Sequence, residues 1–279
     1  MNILFWNVRK QPIHELLARL VEQVEANILI LAEHDDKDGQ LLHALSARHF
    51  FSVPQIGCRR ISVFSQFEPK YFTHRRETDR YSIMEFRNPE FETVLFGLVH
   101  LSSKLYSTDT DQLMEASHFI EDIEAMEQQL GNKNTILIGD FNMDPFDLGM
   151  TTAGAIQCLS CLESAKAGSR KAKGREHSFF YNPSWNLLGD RSRPAGTYFY
   201  RDPHHRVIYW HVLDQVVLRP GIATRFDKQS LRILTEIGDV NLLDERGKPA
   251  ISDHLPICFS IDLAIQQTNT GTANEELVA

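Results

Sequence analysis

Repeatedly in this chain, a run of core-type residues terminates in a polar group that packing alone does not ask for. NILFWNV (2–8) closes on Asn7, NILILAEHD (27–35) on Glu33, and FGLVH (96–100) on His100. TILIGDFNMDPF (135–146) delivers Asp140 and Asn142, WHVLDQVVL (210–218) encloses Asp214, and Asp253 and His254 introduce HLPICFSIDL (254–263). Taken singly, an Asp after a strand is a turn or N-cap residue, and a His beside one is a half-buried neighbour. As a set they differ, because the end of a strand is rigid and holds a side chain to tight tolerance.

The spacing between these runs defines the fold class. NILFWNV reads as a buried strand. Pro12 opens a helix in which Leu16, Leu17, Leu20, Val21 and Val24 recur at helical spacing. NILILAEHD is then a second buried strand, and this strand–helix–strand start predicts layered α and β structure. RRISVFSQF, YSIMEFR and ETVLFGLVHL predict a meander of antiparallel strands between 50 and 101. Asp111–Leu130 predicts a long amphipathic helix with Leu113, Met114, Phe119, Ile120, Ile123, Met126 and Leu130 on its apolar stripe, stopped by Gly131 and Asn132. Residues 166–175, KAGSRKAKGR, predict a mobile basic surface loop, and GTYFYR and YWHVLDQVVLRP predict two further strands. With no internal repeat and no linker, one domain over 1–265 is expected, followed by a polar, disordered tail at 266–279.

The 279 residues, 42% hydrophobic and 24% charged, suffice for a real core. No apolar run approaches the ~20 residues that span a bilayer, and the first strand begins at Ile3 with no space for a signal peptide, so a cytoplasmic protein is expected. Cys158 and Cys161 form a lone CxxC without the second pair a zinc site needs, and reduced structural thiols are the expectation for all four cysteines. A net charge of −8 argues against coating nucleic acid by bulk charge. It leaves room for an enzyme that approaches phosphate through a metal ion, since metal sites concentrate acids.

The residue types at the strand ends form such a set: carboxylates for a hard divalent cation, amides and imidazoles for phosphate oxygens, and a carboxylate able to orient an imidazole. Their segments resemble the motifs of the endonuclease/exonuclease/phosphatase family, the DNase I-like metal-dependent phosphodiesterases. FWNVR, LILAEHD, LVHLSS, LIGDFNMDP, VLDQVVL and ISDHLPI follow in the family's order from residue 3 to about 262. The resemblance implies an α+β fold: a four-layer α/β/β/α sandwich of two mostly antiparallel sheets, with the strand-end residues meeting at one edge.

It also implies roles. Glu33 is the expected main ligand of Mg²⁺ or Mn²⁺, with Asn7 and Asp253 completing the site. Asp140 would hold and deprotonate the attacking water and Asn142 would orient it. His254, its tautomer fixed by Asp214, and His100 would bind phosphoryl oxygens. Arg9, Arg193 and Tyr198 are the expected substrate contacts. Two positions depart from common patterns: Arg9 stands where abasic-site endonucleases of the family place an acid, and Ala32 where many members have Gln.

The expected partner is a nucleic acid or another phosphoester. Basic residues 166–175 followed by Phe179, Phe180, Tyr181 and Trp185 suit a nucleic-acid strand, by phosphate contact and base stacking. The bland reading is a solvated loop leading into core aromatics. Arg59, Arg60, Arg75, Arg76 and Arg80 form a second basic region, and Arg191, Arg193, Arg201 and Arg206 surround GTYFY. A nuclease is therefore the leading expectation. A phosphatase or phosphodiesterase acting on a small phosphorylated sugar, inositol, nucleotide or lipid head group is the alternative, and a non-catalytic binding protein of the same fold the third.

Overall fold

Two strands that run side by side and stop together fix the architecture. In the computed structural model, which describes residues 1–35, 39–201 and 208–265, β1 (Asn2–Asn7) and β2 (Ile28–Ala32) pair in parallel. α1 (His14–Gln23) makes the crossover, packing Leu17, Leu20 and Val21 inward. Pro12 lies just outside this helix, before the Ile13 N-cap, so it sets the entry rather than the first turn. A short α2 (Gln40–Ala44) lies beside α1.

β4 (Ile61–Ser65) pairs antiparallel with β2, and β3 (Phe51–Val53) pairs antiparallel with β4 at the sheet edge. β5 (Phe72–Glu77), β6 (Tyr81–Phe86) and β7 (Val94–His100) build a separate antiparallel set. The expected single meander is thus divided between two sheets. α3 (Asp109–Leu130) then returns the chain to β8 (Thr135–Asp140), parallel to β7. α3 starts two residues earlier than its periodicity suggests, because Thr108 and Asp111 form a capping box. Met114 is exposed, so the apolar stripe is narrower than expected.

Short strands follow: β9 (Cys158–Leu159), β10 (Ser169–Ala172), β11 (Arg175–Ser178), β12 (Phe180–Tyr181), β13 (Tyr198–Phe199) and β14 (Trp210–His211). β15 (Asp214–Leu218), β16 (Phe226–Ile233), the hairpin β17 (Glu236–Ile237) and β18 (Val240–Asn241), and β19 (Ile257–Ile261) complete the chain. The sheets run β16-β19-β1-β2-β4-β3 and β5-β6-β7-β8-β15-β12-β9. The expected mobile loop is a β10–β11 hairpin, in which Arg170 pairs with His177 and Lys171 with Glu176. Arg206 and the tail 266–279 lie outside the described residues.

Strand alternation generates the layers. Ile3 and Phe5 point between the sheets with Ile138, Val216 and Phe96, while Leu4 and Trp6 point to α1 with Leu17 and Leu20. On the far side Leu95, Leu137 and Val217 meet Phe119 and Ile123 of α3. The order is helix, sheet, sheet, helix, as expected. Gly97 permits the close α3 contact, since a Cβ there would lie 2.8 Å from the Phe119 ring and 2.7 Å from Leu137.

Candidate active site

The strand directions bring the polar residues to one edge. Parallel β1 and β2 finish together at Asn7 and Ala32, with Glu33 next, and parallel β7 and β8 finish with His100 opposite Asp140. Antiparallel β15 begins there instead, with Asp214 opposite Asp140. Antiparallel β19 pairs Ile257 with Phe5, which leaves 252–254 at the same edge. The end of one strand and the start of its antiparallel neighbour are the same place, so scattered segments converge without a dedicated loop.

Backbone geometry aims the side chains. Arg9, Glu33 and Asn142 have φ of 47°, 51° and 51°, the left-handed region that non-glycine residues seldom adopt. Such strain clusters at functional sites when the surrounding fold holds it. Gly139, at φ 147°, has a sharper reason to be glycine: a Cβ would lie 2.0 Å from the Val99 carbonyl oxygen. The Gly-Asp pair therefore sets Asp140 tightly against β7.

Asp140 is the hub. Its carboxylate is buried, accepts from Asn7 Nδ2 at 3.0 Å and from the Asn142 amide at 2.9 Å, and lies 3.7 Å from His100 Nε2 and 3.8 Å from His254 Nε2. Glu33 Oε1 accepts from Asn7 Nδ2 at 3.4 Å and sits 3.4 Å from His100 Nε2. Asp214, fully buried, holds His254 Nδ1 at 2.9 Å. Asn142 donates its side-chain amide to the Leu101 carbonyl, so its Oδ1 is the end left for a water or ligand. Asp253 pairs with Arg9 at 3.3 Å, and the Arg9 amide donates to Asn7 Oδ1, which places both beside Asn7. Tyr198 lays its ring 4.8 Å from His254. Arg193 stands exposed in the turn before Tyr198, with no ion pair among the described residues. It is the one expected contact that the structure does not join to the rest.

Electrostatics set these groups apart. Burial pushes the Asp140 carboxyl up; the nearby imidazoles oppose this and the Asp214 charge adds to it. Burial also pushes His100 below the usual imidazole range, with Asp140 resisting and Arg60 and His254 assisting. For His254, burial favours the neutral ring, but Asp214 and Asp140 outweigh it and hold the pKa up at about 10. His100 is thereby kept a neutral donor or acceptor and His254 a cation.

A divalent cation fits this donor set. Oxygen donors dominate the edge, and one atom each of Asp140, Asp214 and His254 lie within 4.8 Å of one another, although the charged His254 ring has no lone pair to give a cation. In that trio, however, Asp214 is committed to His254 Nδ1, which leaves Glu33 as the most accessible carboxylate.

The structure adds supports that sequence reading did not single out. Ser252 Oγ donates to the Asn7 carbonyl, Trp6 Nε1 donates to the His254 carbonyl, and Thr197 Oγ1 accepts from the Asp214 amide. His211 Nδ1 meets Asp144 at 2.7 Å. The S in SDH and the W in FWN are the only hints of these in the sequence.

The expected basic surfaces are different in kind. Phe179, Phe180 and Tyr181 are buried in the core, so the stacking role expected for them is withdrawn. Arg75 pairs with Glu85, Arg76 with Asp122, and Arg80 with Asp79 and Glu115, while Arg59 and Arg60 remain exposed.

A sandwich with carboxylates, amides and imidazoles gathered at one sheet edge defines a phosphoesterase type of site. The chain belongs to the Endonuclease/Exonuclease/phosphatase family, whose model matches residues 4–254. No curated protein is similar enough in sequence to count as a match. Among solved structures, the 3′ phosphatase NExo from Neisseria bound to product DNA hairpin is 17% identical, with TM-score 0.55, covering 94% of this chain and 99% of its own. An AP endonuclease from Archaeoglobus fulgidus is 14% identical, TM-score 0.55, covering 94% and 100%. A mannosyl-6-phosphatase from Bacteroides thetaiotaomicron is 14% identical, TM-score 0.56, also covering 94% and 100%. At these identities the likeness is one of fold. No helix among the described residues is long and apolar enough to cross a membrane.

Proposed function

We propose that the protein is a Mg²⁺- or Mn²⁺-dependent phosphodiesterase that hydrolyses nucleic acid by in-line attack of water. The observation that carries this reading is the buried Asp140 carboxylate, ringed at 3.0 to 3.8 Å by Asn7, His100 and His254. Glu33 would hold the cation, with Asn7 and Asp253 beside it, and the bound cation would neutralise phosphoryl charge. Asp140 accepts the proton of the attacking water, which Asn142 Oδ1 orients. His254, kept charged by Asp214, donates from Nε2 to a phosphoryl oxygen, and His100 supports a second oxygen. Arg9 and Tyr198 meet the substrate next to this centre.

Cleavage of single- and double-stranded DNA and of RNA with each metal, in wild type and Asp140→Asn, tests the reading. Metal-dependent cleavage lost in the variant is expected. Phosphate release from small monoesters with all nucleic acids intact would select the phosphatase alternative, and no hydrolysis of any phosphoester would overturn both.

A further inference from the structure

The edge carries a second acid–imidazole pair that the mechanism above does not use. His211 Nδ1 meets Asp144 Oδ2 at 2.7 Å, and Asp144 Oδ1 accepts from the Val212 amide at 2.9 Å. The Asp144 side chain is only 4% exposed, whereas that of His211 is 25% exposed. The arrangement repeats that of Asp214 and His254 in that a buried carboxylate holds Nδ1; His254 Nε2 lies 3.8 Å from Asp140, whereas the His211 ring is partly exposed. His211 Nε2 has no protein partner among the described residues.

Position makes this more than a satisfied core acid. Tyr198 pairs with His211 across β13 and β14 and bridges His254 on its other side. Directly opposed residues present their side chains on one face. His254, Tyr198 and His211 therefore form a row, with the Tyr198 ring 4.8 Å from one imidazole and 6.2 Å from the other. Two strand spacings put the outer imidazoles ~10 Å apart. That is too far for both to serve one phosphate and suits the next group of a chain laid over Tyr198. Gly196 allows this row to form, because a Cβ there would lie 2.5 Å from the His211 carbonyl oxygen. An imidazolium at the end of an aromatic ring, its Nδ1–H held by a carboxylate, matches an anionic oxygen beside an apolar sugar or base.

We propose that His211, held by Asp144, is a substrate-binding residue whose imidazolium form donates from Nε2 to an oxygen of the phosphodiester chain beyond the scissile phosphate, and so favours extended phosphodiesters over minimal ones. This rests on the hydrolase reading above and adds a specificity determinant to it.

The test compares two probes, a dodecameric single-stranded DNA and bis(p-nitrophenyl) phosphate, with Mg²⁺ and Mn²⁺. In His211→Ala, kcat/KM for the DNA should fall about tenfold, mostly through KM, the scale of one hydrogen bond to an ion. Hydrolysis of the small ester should stay within about twofold of wild type. His211→Gln, which keeps a donor near Nε2, should recover part of the loss, and Asp144→Asn should reproduce part of it. Equal losses on both probes, or no loss on either, would overturn the assignment. Wild-type protein that hydrolyses the small ester but neither binds nor cuts the DNA would overturn it too, leaving phosphoester hydrolysis standing without this DNA as its substrate. Wild-type protein inert to both probes would bring down the hydrolase reading and the inference together.

Discussion

The strand-end edge and the segment 166–185 both carry dense polar and aromatic sequence, yet the fold treats them in opposite ways. In 166–185 the charged and aromatic residues follow their ordinary preference: Phe180 and Tyr181 go inside, while Lys171, Lys173 and Arg175 face solvent on the β10–β11 hairpin. At the edge the preference is broken. Asn7, His100, Asp140, Asp214 and His254 are all buried, although they are amides, imidazoles and carboxylates. Burying such groups costs several kcal/mol unless they satisfy one another; here Asn7 donates to Asp140 and Asp214 holds His254, while His100 stands in charge contact with Glu33 and Asp140 at 3.4 and 3.7 Å and its buried Nδ1 has no partner among the described residues. Polar residues that a fold hides and cross-links mark chemistry more strongly than polar residues it leaves in water.

The comparison breaks first if activity does not follow burial. Asp140→Asn should lower kcat by at least ~10²-fold, the scale of one lost electrostatic group, with circular dichroism unchanged. Lys171→Ala with Arg175→Ala should leave kcat/KM within about threefold at moderate salt, since exposed charges are worth ~1 kcal/mol or less. Steady-state kinetics of the two variants side by side decides this.

Stability sharpens it next. Gly139 and Gly174 both have positive φ, but only Gly139 has backbone where a Cβ would go. Gly174→Ala should cost ~1–2 kcal/mol, the left-handed penalty alone. Gly139→Ala should cost clearly more, at least ~3 kcal/mol, because Val99 must also move. Urea denaturation measures both.

The electrostatic contrast follows. His254 has a folded-state pKa of about 10, above the usual imidazole value near 6.5. Its contribution to stability is thus fully present below about pH 6.5 and fades as pH rises toward 10. In metal-free protein, imidazole NMR should show His254 still charged at pH 8, and Asp214→Asn should bring its titration down.

The smallest effect concerns the thiols. Burial pushes Cys58 up to about 11 and raises Cys158, whereas hydrogen bonds from Ser164 lower the exposed Cys161. Thiol reagents should label Cys161 in the native protein and the buried thiols only on unfolding, as mass spectrometry would show.

Much of this was legible because its signal is local. Asn7, Glu33, His100, Asp140 and Asp214 each interrupt an apolar run, and α1 and α3 carry the 3.6-residue period. The division of strands 50–101 between two sheets was not legible. β4 and β6 have the same apolar texture, and only long-range pairing with β2 or β7 separates them. The β10–β11 hairpin lacks an apolar face altogether, so its composition resembles a loop. The Asp144–His211 pair joins residues 67 apart, and an Asp before Pro145 reads as a turn until the sheet brings its partner alongside.

The central claim, that these donors converge around one divalent cation, is tested most directly by Mn²⁺ titration followed by electron paramagnetic resonance. One bound Mn²⁺ per chain is predicted, abolished in Glu33→Gln and kept in His211→Ala. Absence of bound Mn²⁺ in the wild-type protein, or undiminished binding in Glu33→Gln, would contradict the account.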